Sequence, residues 1–206
     1  MNMKLLAFVP LLVLLDSASA TAQGVDPGRV SFGAAAGISN PLHGDFGFRA
    51  PSWEVDVRLN TWTFLASSVF VEQWRHTDED VSTNVITPTG RIDRLTRART
   101  DQTRVVGWSL LGKSNGRVAV NGGGGVSYLL YSRESSTKLE GCTPASLCGA
   151  SASDFDNGAF AAQVQAGVDV RVIPRLAVTG NFRLVAPVED PGAGHITFLA
   201  GARLIF

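Results

Sequence analysis

Lysine is nearly absent from this 206-residue chain. It occurs only at positions 4, 113 and 138, although Lys and Arg together number 18 and match the 18 Asp and Glu. A balanced charge leaves no strong global field to attract nucleic acid, so no nucleic-acid partner is expected. Histidine is also scarce. His43, His76 and His195 are the complete set, with no zinc spacing and no phosphate-binding loop near them, so neither a metal nor another cofactor is expected. Long hydrophobic runs are missing beyond residue 22, which excludes a membrane-spanning helix of roughly 20 apolar residues. Cysteine is limited to Cys142 and Cys148, close together in a Gly/Ser/Thr/Pro-rich stretch. In an exported chain that pair reads as a local disulfide closing a loop.

The first 22 residues have the layout of an export signal. A short polar start carrying Lys4 precedes an unbroken apolar run at 5–15, and Ala18-Ser19-Ala20 and Ala20-Thr21-Ala22 follow as overlapping small-residue cleavage sites. Cleavage is expected after Ala22, or alternatively after Ala20. That leaves residues 23–206 as a single mature domain.

The mature chain is dominated by alternation with a period of two, the mark of strands whose faces meet different environments. Within 162–172, Ala162, Val164, Ala166, Val168, Val170 and Val172 oppose Gln163, Gln165, Gly167, Asp169 and Arg171. The stretch 176–186 repeats the pattern, and 195–206 closes with Ile196, Phe198, Ala200, Ala202, Leu204 and Phe206 on one face. Earlier segments around 30–38, 53–60, 63–73, 104–111 and 118–130 bring the total to eight strands. A change of face around Ser67-Ser68 suggests a bulge there. In the strand near 104–111, Val106, Trp108 and Leu110 are read as outward.

Connection lengths alternate strictly. The short turns fall at 60–62, 113–116 and 173–175, and Asn115-Gly116 is a strong hairpin signal. The long connections cover 39–52, 74–103, 132–158 and 187–194. Inside the second, 81–86 and 91–99 flank Thr87-Pro88-Thr89-Gly90 and read as a hairpin projecting past a membrane, with Asp78, Glu79 and Asp80 facing an arginine-rich arm. Loops segregated to one end are the signature of a transmembrane barrel.

Three features favour lipid outside the barrel over a soluble, lipocalin-like barrel with apolar residues inside. The polar face holds acids and arginines in numbers that allow pairing: Glu54, Asp56 and Asp169 with Arg58, Arg171, Arg183 and Arg203. An eight-stranded interior has room for side chains but not for a wide channel, so these groups are expected to form a polar network that plugs the lumen. The apolar face is rich in small residues that lipid covers without shape matching. Aromatics fall toward strand ends, at Trp53, Trp62, Phe64, Trp74, Tyr128, Tyr131, Phe155, Phe160, Phe198 and Phe206, where interfacial girdles belong.

The closing segment, His195-Ile-Thr-Phe-Leu-Ala-Gly-Ala-Arg-Leu-Ile-Phe206, ends on an aromatic with apolar residues at alternate positions before it. It resembles the C-terminal signal that the barrel-assembly machinery reads in bacterial outer-membrane proteins. Residues 160–206, with Gly-Val-Asp-Val-Arg at 167–171 followed by a turn and two further strands, resemble the OmpA/OmpX-like barrel family. The resemblance implies an all-β, eight-stranded antiparallel up-and-down barrel in the bacterial outer membrane, surrounded by membrane lipid and lipopolysaccharide. A monomer with a structural or surface-interaction role is expected, and no enzymatic activity. Two other activities remain open from the residues: a narrow solute pore, and a lipid A-modifying enzyme, of which His195-Ile196-Thr197 is a faint echo. Arg94, Arg97 and Arg99 are candidates for lipopolysaccharide phosphates, because arginine makes bidentate contacts with phosphate. The alternative for them is a solvated hairpin that pairs its own acids.

Overall fold

The computed structural model describes residues 29–42 and 50–206. The expected export signal, its cleavage sites and His43 lie outside the described residues. Eight antiparallel strands close into one barrel in sequence order: β1 (Val30–Pro41), β2 (Ala50–Trp62), β3 (Leu65–Thr87), β4 (Gly90–Lys113), β5 (Val118–Thr143), β6 (Gly149–Ile173), β7 (Leu176–Pro187) and β8 (His195–Ile205). Closure comes from β8 pairing with β1, for example Ala202 opposite Ala34 and Arg203 opposite Gly33. A closed barrel satisfies every ladder hydrogen bond internally, which lets strands cross a bilayer.

The alternation seen in the sequence sets the two faces. In β2, Ser52, Glu54, Asp56, Arg58 and Asn60 are buried in the lumen while Trp53, Val55, Val57 and Leu59 are exposed. The same division runs around the barrel, and Val106, Trp108 and Leu110 face outward as expected. Apolar side chains therefore cover the outside and charged ones fill the inside, the reverse of a soluble ligand-binding barrel. This is the surface of a transmembrane barrel. Trp108 stands well inside the belt, where a bare indole N–H would be costly, and its Nε1 donates to Ser67 Oγ at 2.7 Å.

Aromatic pairs mark both rims of the belt. Trp62 stacks on Phe64, and Phe32 meets Phe206 edge-on, at the end with short turns; Tyr128 meets Phe160 at the other. Three residues expected in the girdles are elsewhere: Trp74, Tyr131 and Phe155 line the barrel mouth.

Two local expectations need correction. The bulge is not at Ser67-Ser68 but in β2, where the β2–β3 register shifts between Asn60 and Trp62. β3 keeps a single phase, with Ala66, Ser68, Phe70, Glu72 and Trp74 buried and Val69 and Val71 exposed. The stretch 132–158, expected as a loop, is mostly strand. β5 runs to Thr143 and β6 starts at Gly149, leaving only 144–148 between them. β3, β4, β5 and β6 thus continue beyond the belt as one four-stranded sheet. From Arg75 to Thr87 this extension spans roughly 40 Å at the usual rise per residue.

The glycine run 122–125 illustrates how tightly the sheet coils. A Cβ at Gly125 would lie 1.9 Å from the Trp108 carbonyl oxygen, whereas one at Gly122 would have its nearest neighbour at 3.7 Å. Gly125→Val is therefore expected to lower stability by about 1–3 kcal/mol through overpacking. Gly122→Val should be near neutral. Urea midpoints of the two variants in micelles check this.

Candidate functional site

The lumen holds two ion-pair clusters. One is built around Arg183 of β7. Its Nη1 donates to Glu54 of β2 and to Glu72 Oε2 of β3, the latter at 2.9 Å. Its Nε and Nη2 donate to Gln165 Oε1 at 3.1 and 2.8 Å. The guanidinium also lies 3.5 Å from the centre of the Phe70 ring, a cation–π contact. The Thr197 hydroxyl donates to Glu72 Oε1 at 2.6 Å, and His195 Nε2 stands 3.5 Å from the same oxygen.

The second cluster centres on Arg203 of β8. It donates to both oxygens of Asp56, at 2.8 and 2.9 Å, in a bidentate fork. Beside it Arg58 Nη1 donates to Asp169 Oδ2 at 2.8 Å, and Asn121 donates to the same oxygen at 3.3 Å. Lys113 Nζ reaches Asn60 Oδ1 at 2.6 Å near the short-turn end. Arg171 is half-buried and lines a small cavity of about 40 Å³ with Arg58, Lys113 and Asp169. The structure brings Glu54, Asp56, Arg58, Asp169, Arg183 and Arg203 into the lumen, with Arg171 at its edge. An apolar group, Phe70, Val105, Leu129, Ala161 and Val185, packs in the same interior. Side chains fill the bore.

Sequence reasoning missed Glu72, which is fully buried and accepts from both Arg183 and Thr197. The signal for it is the inward face of β2: Glu54, which the alternation turns inward, stands opposite Glu72 in the β2–β3 register.

The opposite end opens into a cavity of about 1140 Å³ at the mouth. Trp74 and His195 meet edge-on at its base, ring centres 6.1 Å apart. On its wall Asp101 accepts from Tyr131 Oη, Arg133 Nε and Arg99 Nη2, each at 2.8 Å. Arg133 also donates to the Tyr131 hydroxyl. Partial burial pushes the Asp101 carboxyl up, but the hydrogen bonds from Arg133, Arg99 and Tyr131 outweigh it and hold the group below the usual carboxylate range. Burial and then Asp101 push the Tyr131 phenol up. Because the folded-state pKa of Asp101 is depressed, its contribution is complete above the ordinary carboxylate pKa of about 4 and is lost as pH falls through the folded value. Amide shifts of residues 99–101 and 131–133 are expected to hold from pH 7 to about 4 and to move only at lower pH. Asp101→Asn should show the moved shifts already at pH 7.

The projecting hairpin orders its arginines by face. Asp80 stands opposite Arg97 and Asp78 opposite Arg99, as the charge pattern suggested. The ion pair that Arg99 makes, however, is with Asp101, on its own strand. Arg97 lies on the same face as Arg99, and Arg94 is out of phase with both, exposed beside Glu140 of β5. The three candidate phosphate contacts are therefore not one cluster, and Arg99 belongs to the mouth. At the tip Cys142 and Cys148 form a disulfide with Cα atoms 5.4 Å apart, bracketing a short 3-10 turn.

No protein-family model and no curated protein sequence matches the chain. Solved structures do match it in fold. A major outer membrane protein from Thermus thermophilus is 13% identical with a TM-score of 0.55, over 87% of this chain and 99% of that one. Ail, the attachment invasion locus protein of Yersinia pestis, is 11% identical with a TM-score of 0.53, over 87% and 99%. The N-terminal β-barrel domain of Pseudomonas aeruginosa OprF is 10% identical with a TM-score of 0.51, over 89% and 100%. The fold is thus that of small outer-membrane barrels, and with its apolar exterior and charged lumen it is the fold of an integral membrane protein.

Proposed function

We propose that this chain is a non-enzymatic barrel of the bacterial outer membrane whose work is done outside the bilayer, by the four-stranded sheet that extends β3 to β6. One contrast carries this reading. The lumen is closed by buried ion pairs, with Arg183 and Glu54 each 3% exposed, while half of the strands continue far past the belt as ordered sheet. A solute pore needs an open bore. A lipid A-modifying enzyme needs its His within reach of acyl chains, but His195 is 2% exposed and faces Trp74 and Glu72 inside the barrel. Insertion through the barrel-assembly machinery, with the strand ending at Phe206 as its signal, completes the reading.

The test compares the mature chain with a shortened variant in which residues 77–99 and 134–154 are each replaced by Asn-Gly. Both should fold in micelles with the same heat-sensitive gel mobility, and neither should give discrete conductance steps in planar bilayers. Cells displaying the full chain should adhere to surfaces or glycan arrays that cells displaying the shortened one do not bind. Equal adhesion by both would place the function elsewhere, and regular conductance steps from the full chain would favour a pore.

A further inference from the structure

We propose that Arg75 and Arg104 form a docking site for the phosphate of an outer-leaflet glycolipid, an inference that rests on the outer-membrane reading above. Both side chains are exposed on the outward face of the barrel, on the neighbouring strands β3 and β4. In the register Gln73 lies opposite Arg104, and Arg75 opposite Gln102. The two arginines are thus diagonal neighbours, roughly 7 Å apart, close enough to clasp one phosphate. Toward the membrane, Val106 and then Trp108 follow Arg104 on the outward face of β4, while Gln73 stands between Arg75 and Val71 on β3; Val71, Val106 and Trp108 are exposed apolar residues of the belt. Arg104 sits one outward step beyond the belt valine of its strand and Arg75 two, at the height where headgroups begin.

The site is also held in place. With its amide oriented as its neighbours require, the Gln102 oxygen accepts from Arg104 Nε and Nη2 at 2.9 Å each and from Gln73 Nε2 at 3.3 Å. This fixes the guanidinium plane and leaves its remaining donors directed away from Gln102. Among the described residues no carboxylate forms an ion pair with Arg75 or Arg104, in contrast to Arg99 and Arg133, which share Asp101. On the same outward face, Glu79 and Glu134 lie further along their strands, away from the membrane, and Asp156 of β6 lies two strands away, across Ser132 from Gln102. Arginine suits a phosphate through its planar fork, and a partly desolvated rim strengthens the contact. The hairpin arginines at 94 and 97 lie well beyond the belt, where no headgroup reaches them.

The experiment uses residues 23–206 folded into nanodiscs of phosphatidylethanolamine and phosphatidylglycerol containing bisphosphorylated lipid A, with bound lipid counted by native mass spectrometry. Wild type and Arg94→Gln/Arg97→Gln should retain lipid A equally. Arg75→Gln/Arg104→Gln should retain it roughly tenfold less, as expected for lost charge-assisted bonds, with unchanged heat-sensitive mobility. Dephosphorylated lipid A should bind wild type no better than the double variant. Inorganic phosphate at equal concentration should leave the lipid in place. Equal retention by the Arg75/Arg104 variant, loss in the Arg94/Arg97 variant, or displacement by inorganic phosphate would overturn the site. Failure of wild type to insert at all would instead overturn the membrane reading.

Discussion

Arg183→Leu is expected to destabilise the barrel by about 3–5 kcal/mol, the usual cost of removing one partner from a buried ion cluster. Arg183 is the cation between two buried carboxylates, Glu54 and Glu72, and its Nε and Nη2 satisfy Gln165. Leucine fills part of the volume over the Phe70 ring but leaves both acids without their cation in an interior that water barely reaches. The loss should be relieved by neutralising those acids. In the Arg183→Leu background, Glu54→Gln with Glu72→Gln should recover much of the stability, a coupling that residues sharing a network show and distant ones do not. Urea titration in micelles, followed by tryptophan fluorescence, measures all four corners of that cycle. Simple additivity would mean that the cluster is not a single unit.

The second large effect is on the outside. Ala200 lies midway along β8, exposed to lipid, with Gly180 on one side and Ala36 on the other. Ala200→Arg is expected to cost about 2–4 kcal/mol in a bilayer, the penalty for arginine at the midplane. The belt of such barrels is about 25 Å tall, so an arginine there reaches either interface only with strain. Thr100→Arg, on the outward face of the projecting sheet, should change stability by less than about 0.5 kcal/mol. Folding titrations into phospholipid vesicles compare the two, and a harmless Ala200→Arg would mean that this face does not meet lipid.

Most of the barrel was legible because its physics repeats every two residues. Wherever one face meets lipid and the other a charged lumen, as in 53–60, 162–172 and 195–206, the side chains report their own orientation. Reading failed where that rule is broken for a reason from another strand. Phe70 is apolar yet points inward, because Arg183 lies over its ring, and an apolar inward residue beside Ser67 and Ser68 mimics a change of face. The same misreading hid Glu72. The stretch 132–158 looked like a loop because it is rich in Ser, Gly, Ala and Asp, which carry little strand preference. Its strands form because β4 offers β5 a continuous ladder, from Arg91 opposite Thr143 down to Lys113 opposite Asn121, and β5 offers one to β6 in turn. The tip disulfide was visible from two close cysteines in a turn-rich stretch of an exported chain. The mouth cluster was not, because Asp101, Tyr131 and Arg133 converge only once the β4–β5 register is fixed.

The central claim is that the apolar face is outside. Its most direct test is the gel mobility of residues 23–206 diluted from urea into detergent micelles and, separately, into plain buffer, each run with and without boiling. A heat-sensitive mobility shift that appears only with detergent is the predicted result. A soluble folded monomer in plain buffer would contradict the account, since it would require the charged face to be the exterior.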